Sequence, residues 1–202
     1  MVNALAPTKG NLIAAKNTLR LSKQGYEMLD KKRNILIREM MTLIEEAKDV
    51  EEKIEIVFGG AYHALESANI MSGMDKVRDF AHTTVLDESV TINLRSVMGV
   101  ELPMVSADNK PIEPSYSLCS TNSAFDETLV KFNEVKQLTL KLAEIENSVY
   151  RLAVAIKKTQ KRANALQNIT IPLYTKIAAD IQNALEEKDR EEHTRLKMIK
   201  ER

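Results

Sequence analysis

Two interleaved rows of mostly apolar residues, each with a spacing of seven, run through the N-terminal third of the chain and leave it few ways to fold. Stepping from Leu5 gives Leu12, Leu19, Tyr26, Arg33, Met40, Ala47, Ile54, Ala61 and Ala68, with Arg33 the only charge in the row. A companion row three residues on reads Thr8, Ala15, Ser22, Leu29, Leu36, Leu43, Val50, Val57, Ala64 and Met71. Paired rows of this kind are the a and d positions of heptads, the seam along which two helices interlock. Pro7 or Thr8 can open the helix, since proline suits a first turn and threonine caps one. Ser72-Gly73 is suited to close it.

The C-terminal part repeats the pattern, with Val135, Leu142, Val149, Ile156 and Ala163 in one row and Leu138, Ile145, Leu152, Thr159 and Leu166 in the other. At about 1.5 Å per residue each helix would be roughly 100 Å long, and the segment between them is too short to travel back, so the two must run antiparallel. Pro172 interrupts the second helix and predicts a kink or a change of seam. Beyond it the apolar positions thin to Leu173, Ile177, Ile181, Ala184 and Leu185. From Glu186 to Arg202 charges of alternating sign read as a solvated single helix or a frayed tail.

Between the helices the period changes to two. Val90, Ile92 and Leu94 alternate with polar residues, and Val100, Leu102 and Met104 follow Met98-Gly99, which predicts a short β-hairpin. A short helix from about Met74 to His82 precedes it, and a polar, proline-containing loop from Ser106 to Pro114 follows. A hairpin alone is marginally stable and must lean on something larger. The expected fold is therefore all-α, a long antiparallel two-helix coiled coil with a short helix and small β-hairpin inserted. Its segments are 1–72, 73–122 and 123–202.

Composition agrees with a thin seam. Trp is absent and aromatic residues make up 4% against 29% charged, and Leu, Ile, Val, Met and Ala suffice to fill a two-helix interface. Lys plus Arg and Asp plus Glu number 29 each, so no global basic field invites nucleic acid or an acidic bilayer. The lone Cys119 cannot form an internal disulfide. Neither a signal-like apolar stretch nor a membrane-spanning run is present. These features predict a soluble chain of a reducing compartment, without membrane insertion.

The chain lacks the common phosphate-loop, dinucleotide, zinc-protease and Cys-pair motifs. Gly59-Gly60 could admit another backbone, but two glycines weakening a helix is the simpler reading. His63, His82 and His193 are far apart in sequence and read as surface or interface residues. Glu186-Glu187 and Glu191-Glu192 sit among Lys188, Arg190 and Arg195 as a charge ladder, not as paired catalytic acids. Nothing near Cys119 would lower its pKa. No catalytic, cofactor-binding or metal-ligating residue is expected.

Four stretches are not generic heptads. Pro7-Thr8-Lys9 with Leu12, Leu19, Gly25, Leu29 and Lys32-Arg33-Asn34 opens the chain, and Val97-Met98-Gly99-Val100 with Pro103 marks the hairpin. The run from Ile156 to Leu166, IKKTQKRANAL, followed by Ile169 and Ile171-Pro172, is the most specific, and Leu185-Glu186-Glu187, Arg190-Glu191-Glu192 and Arg195-Leu196-Lys197 complete the set. Together, over nearly the whole chain and in order, they resemble the D subunits of the V/A-type rotary ATPases. Asn34 stands where the family often has Asp, and Leu173-Tyr174 replaces a more polar pair. The end soon after Lys200 points to a bacterial or archaeal source.

The resemblance implies a non-catalytic central rotor shaft, peripheral at the cytoplasmic face of the membrane, coupling ATP hydrolysis or synthesis to ion translocation. ATP chemistry would belong to the ring of A and B subunits. The implied partners are that ring, the small F subunit and the funnel-shaped subunit above the membrane rotor. Within this frame Arg190, Arg195, Lys197 and Lys200 are expected to face carboxylates inside the ring. Ile37, Ile44, Phe58 and Leu65 form an extra apolar row beside the seam. Of these Ile44 and Phe58, with Val97, Met98 and Val100 of the hairpin, are expected to receive the F subunit. The heptads alone fit a static coiled-coil scaffold or tether equally well.

Overall fold

The computed structural model describes residues 6–83, 89–107 and 121–200. Cys119 and most of the loop expected from Ser106 to Pro114 lie outside them. The elements are α1 (Lys9–Ser72), α2 (Met74–Thr83), β1 (Val90–Val97), β2 (Val100–Ala107), α3 (Ser123–Ala165), a π-helical turn (Leu166–Thr170) and α4 (Ile171–Lys200). This is the helical fold with a short helix and a two-stranded antiparallel hairpin that the periodicities predict.

Thr8 caps α1: its Oγ1 accepts the Asn11 N–H at 3.2 Å, three residues on, satisfying one of the donors a helix start leaves free. At the other end Gly73, with φ 85°, donates its N–H to the Asn69 carbonyl at 3.0 Å. That left-handed closure suits glycine because no Cβ is present to clash. The carbonyl of Gly73 then accepts the Val77 N–H at 3.3 Å, so one residue ends α1 and starts α2. The two glycines at 59 and 60 sit within α1, and a Cβ at either would meet nothing within 4 Å.

The chain divides into two compact units, one comprising the residues up to Ile35 with those from Ile156 on, the other Leu36 to Ala155. In the first, Lys16 Nζ donates to Gln182 Oε1 at 3.2 Å and Arg33 Nη1 to Gln160 Oε1 at 2.7 Å, while a Cβ on Gly25 would lie 3.7 Å from Leu166. As α1 numbers rise, their partners' numbers fall from α4 to α3, so the helices of this seam are antiparallel. Among the described residues its buried side chains are small, Ala15, Ser22, Thr159, Ala163 and Ala178, with Ile181 the exception. Arg33, the charge in the apolar row, is half-buried and directs its guanidinium out to Gln160, Asp30 and Asn34, the usual way a long cation keeps its stem in a seam and its head in water.

The second unit carries the bulk: Leu36, Leu43, Val50, Val135, Ile145 and Leu152 are buried, followed toward the end of α1 by Ala61, Ala64 and Ala68. Aromatic contacts finish it, with Phe58 stacked on Tyr62 at 5.6 Å, Tyr62 edge-on to Phe132 at 6.0 Å and Phe80 against Phe125 at 5.2 Å.

Pro172 does not end the second helix. The turn before it widens instead, with the Ile171 N–H bonded to the Leu166 carbonyl five residues back. A π-turn takes in one extra residue and relieves the ring's clash with the preceding turn. The apolar rows that pass through Ala163 and Leu166 would otherwise continue at Thr170, Leu173, Ile177 and Asp180. The buried residues are Ala178 and Ile181, one position later, and Leu173 turns outward. The change of seam predicted at Pro172 is thus a one-residue slip.

Candidate functional site

The hairpin and its bed, all within the second unit, form the most built-up surface. Strand pairing runs from Val90 opposite Ala107 to Val97 opposite Val100. The connecting residues Met98 and Gly99 have φ 51° and 75°, the two positive values of a tight turn whose twist matches the strands. Because Val97 and Val100 flank this turn as a hydrogen-bonded pair, bonding alternates from there. Arg95–Leu102, Asn93–Met104 and Thr91–Ser106 exchange backbone bonds, whereas Ser96, Leu94 and Ile92 point their N–H and C=O groups away from β2. Glu101, Pro103 and Val105 point theirs away from β1.

The outer edge of β2 is partly closed. Arg151 Nη1 donates to the Glu101 carbonyl at 3.0 Å, Pro103 has no N–H, and the Val105 N–H donates to Glu144 Oε2 at 3.0 Å. Leu102, 1% exposed, anchors the strand, and Arg95 reaches Glu39 of α1 at 3.0 Å. The hairpin is therefore fastened to α1 and α3 alike. A cleft of about 650 Å³ beside it is lined by Glu39, Glu46, Arg95, Lys141 and Glu144 among others. Its charges are of both signs. Among the described residues no group of three His, Cys, Asp or Glu side chains could hold a metal ion, and no helix is long and apolar enough to cross a membrane.

The five residues expected to receive the F subunit fall into separate places. Val97, Met98 and Val100 share the hairpin tip, with Met98 47% exposed. Ile44, 37% exposed, is five residues along α1 from Glu39, the partner of Arg95. Phe58 is nineteen residues along from Glu39, about 28 Å at the helical rise, and belongs to the aromatic stack with Tyr62. The row Ile37, Phe58 and Leu65 is half-buried, flanking the seam. The expected ring-facing cations Arg190, Arg195, Lys197 and Lys200 are all exposed on α4, as is every residue from Glu186 to Lys200. Arg190 pairs only locally, with Glu187 at 3.5 Å and Glu186 at 3.9 Å. His63 pairs with Glu66 at 3.6 Å in the open, and His82 and His193 are exposed.

The sequence profile of the family of ATP synthase D subunits matches residues 11–201. The chain belongs to this family. It is similar to the D subunit of the V-type ATP synthase of Thermotoga neapolitana, 43% identical over 199 residues that make up 98% of each chain. It is also similar to the D subunit of the A-type ATP synthase of Pyrococcus furiosus, 34% identical over 96% of this chain and 92% of that one. The corresponding chain of Methanobrevibacter smithii is 33% identical over 99% of this chain and 88% of its own length. As a member of this family the chain takes its place in a multi-subunit rotary ATPase. The clamps on β2, which tie Glu144 and Arg151 to a strand fifty or fewer residues away, had no signal in the heptads: both are ordinary polar-face residues there.

Proposed function

We propose that this chain is the central shaft of a V/A-type ATPase or ATP synthase, a non-catalytic subunit at the cytoplasmic face of the membrane that carries torque between the A/B ring and ion translocation. One observation carries the reading: α4 stays helical through Lys200 although every residue from Glu186 on is exposed. An isolated helical stretch of this length is marginal in water, so a surrounding sleeve suits it. The inside of the ring is that sleeve, met by Arg190, Arg195, Lys197 and Lys200. Exposed ion pairs are worth only about 0–1 kcal/mol each, so they can be exchanged as the shaft turns. The small F subunit sits at the hairpin tip against Val97, Met98 and Val100, with Ile44 and Phe58 as further contacts on α1. The funnel-shaped subunit of the membrane rotor takes the other end.

The test is rotation. A/B rings fixed to a surface are assembled with this chain and the F subunit, and a bead is attached to the chain. ATP-driven stepping of the bead is expected. Steady ATP hydrolysis with a motionless bead would make the chain a static scaffold.

A further inference from the structure

The two edges of the hairpin are fastened unequally. On β2 the outward Glu101 C=O and Val105 N–H are bonded and Pro103 has no N–H, which leaves the Glu101 N–H, the Pro103 C=O and the Val105 C=O without a partner among the described residues. On β1 the outward N–H and C=O groups of Ile92, Leu94 and Ser96 have no hydrogen-bond partner among the described residues. The side chains beside them are apolar and open to solvent, Ile92 at 67% and Leu94 at 59%. Proteins usually blunt such an edge with proline, charge or a covering segment.

We propose that the free edge of β1 is a strand-addition site, where an extended segment of another subunit of the complex pairs with Ile92, Leu94 and Ser96. Donor and acceptor sites recurring about every 6.8 Å, two residues of an antiparallel strand, match only another extended backbone. A helix, a lipid or a small molecule presents no such row. The incoming strand alternates, with apolar side chains beside Ile92 and Leu94 and polar ones beside Thr91, Asn93 and Arg95. A second copy of this chain is a poor occupant: β1 has 8 residues, against the roughly 20–30 per side of a stable interface. A subunit already held nearby by other contacts needs no such area, because its strand arrives at high effective concentration. The inference rests on membership of the complex and does not require that the chain rotate.

Amide hydrogen exchange, resolved by residue, compares the free chain with the intact purified complex. The amides of Ile92, Leu94 and Ser96 are expected to exchange about ten-fold more slowly in the complex, the size of one net backbone hydrogen bond. The amides of Asn93 and Arg95, already bonded to β2, should not change. Leu94→Pro removes one outward N–H without touching the hairpin ladder, and in the complex it should abolish protection at Ile92 and Ser96. Equal exchange in free chain and complex overturns the proposal, whatever the variant does. So does protection that survives Leu94→Pro, which would mean covering without pairing. Protection that rises with concentration in the free chain would assign the edge to a second copy and overturn it equally.

Discussion

At the scale of single residues, the hairpin depends on one anchor and one strained position. Leu102 is the large side chain that the hairpin buries fully, so Leu102→Ala is expected to cost about 2–5 kcal/mol in denaturant unfolding of the free chain. A loss below about 1 kcal/mol would mean that the charged clamps, not Leu102, hold the strand. Met98 adopts φ 51° where the turn wants Gly or Asn. Met98→Asn should stabilise the free chain by about 0.5–1 kcal/mol, since the left-handed region costs an ordinary side chain on the order of 1 kcal/mol. An unchanged unfolding midpoint would show that Met98 is at ease there. The alternation of Val100, Leu102 and Met104 was legible in sequence, as was the turn at Met98-Gly99. Which face turns inward was not, because apolar residues line both: Ile92 and Leu94 on one, Leu102 and Met104 on the other.

At the scale of elements, the heptads are legible because a seam repeats one physical requirement over many turns, so a single exception such as Arg33 is outvoted. The π-turn was legible only as a break at Pro172. Its cause is the extra residue in the count between Leu166 and Tyr174, which a search for helix breakers does not weigh. Pro172→Ala alone is therefore expected to leave the π-turn in place. Deleting Asn168 together with Pro172→Ala should give an uninterrupted α-helix that keeps Tyr174, Ala178 and Ile181 on the seam, with stability within about 1 kcal/mol of the parent. Inserting an alanine after Asn168 should do the opposite, turning α4 by about 100° and bringing Asp180 toward the seam in place of Ile181. A crystal structure and a thermal melt of each variant decide the matter, and a seam that tolerates the insertion without loss would refute the one-residue slip.

At the scale of the whole molecule, the separation of tasks makes a prediction for the tail. Removing Asp189 to Arg202 takes away no buried side chain of the described residues, so the truncated chain should unfold at the midpoint of the parent and still bind the F subunit. Assembly with the A/B ring should weaken, and the deficit should shrink as salt rises, since contacts among exposed charges fade over a Debye length of about 10 Å at 0.1 M. Wild-type assembly at every ionic strength would remove the tail from the ring interface. The hairpin's double fastening bears on a different load. Arg95 holds it to Glu39 of α1, while Arg151 and Glu144 hold it to α3. Sliding α1 lengthwise against α3 within that unit would have to break bonds on one side or the other, so the hairpin acts as a cross-tie against shear, and the seam beneath it cannot creep by a heptad without first letting go of the strap.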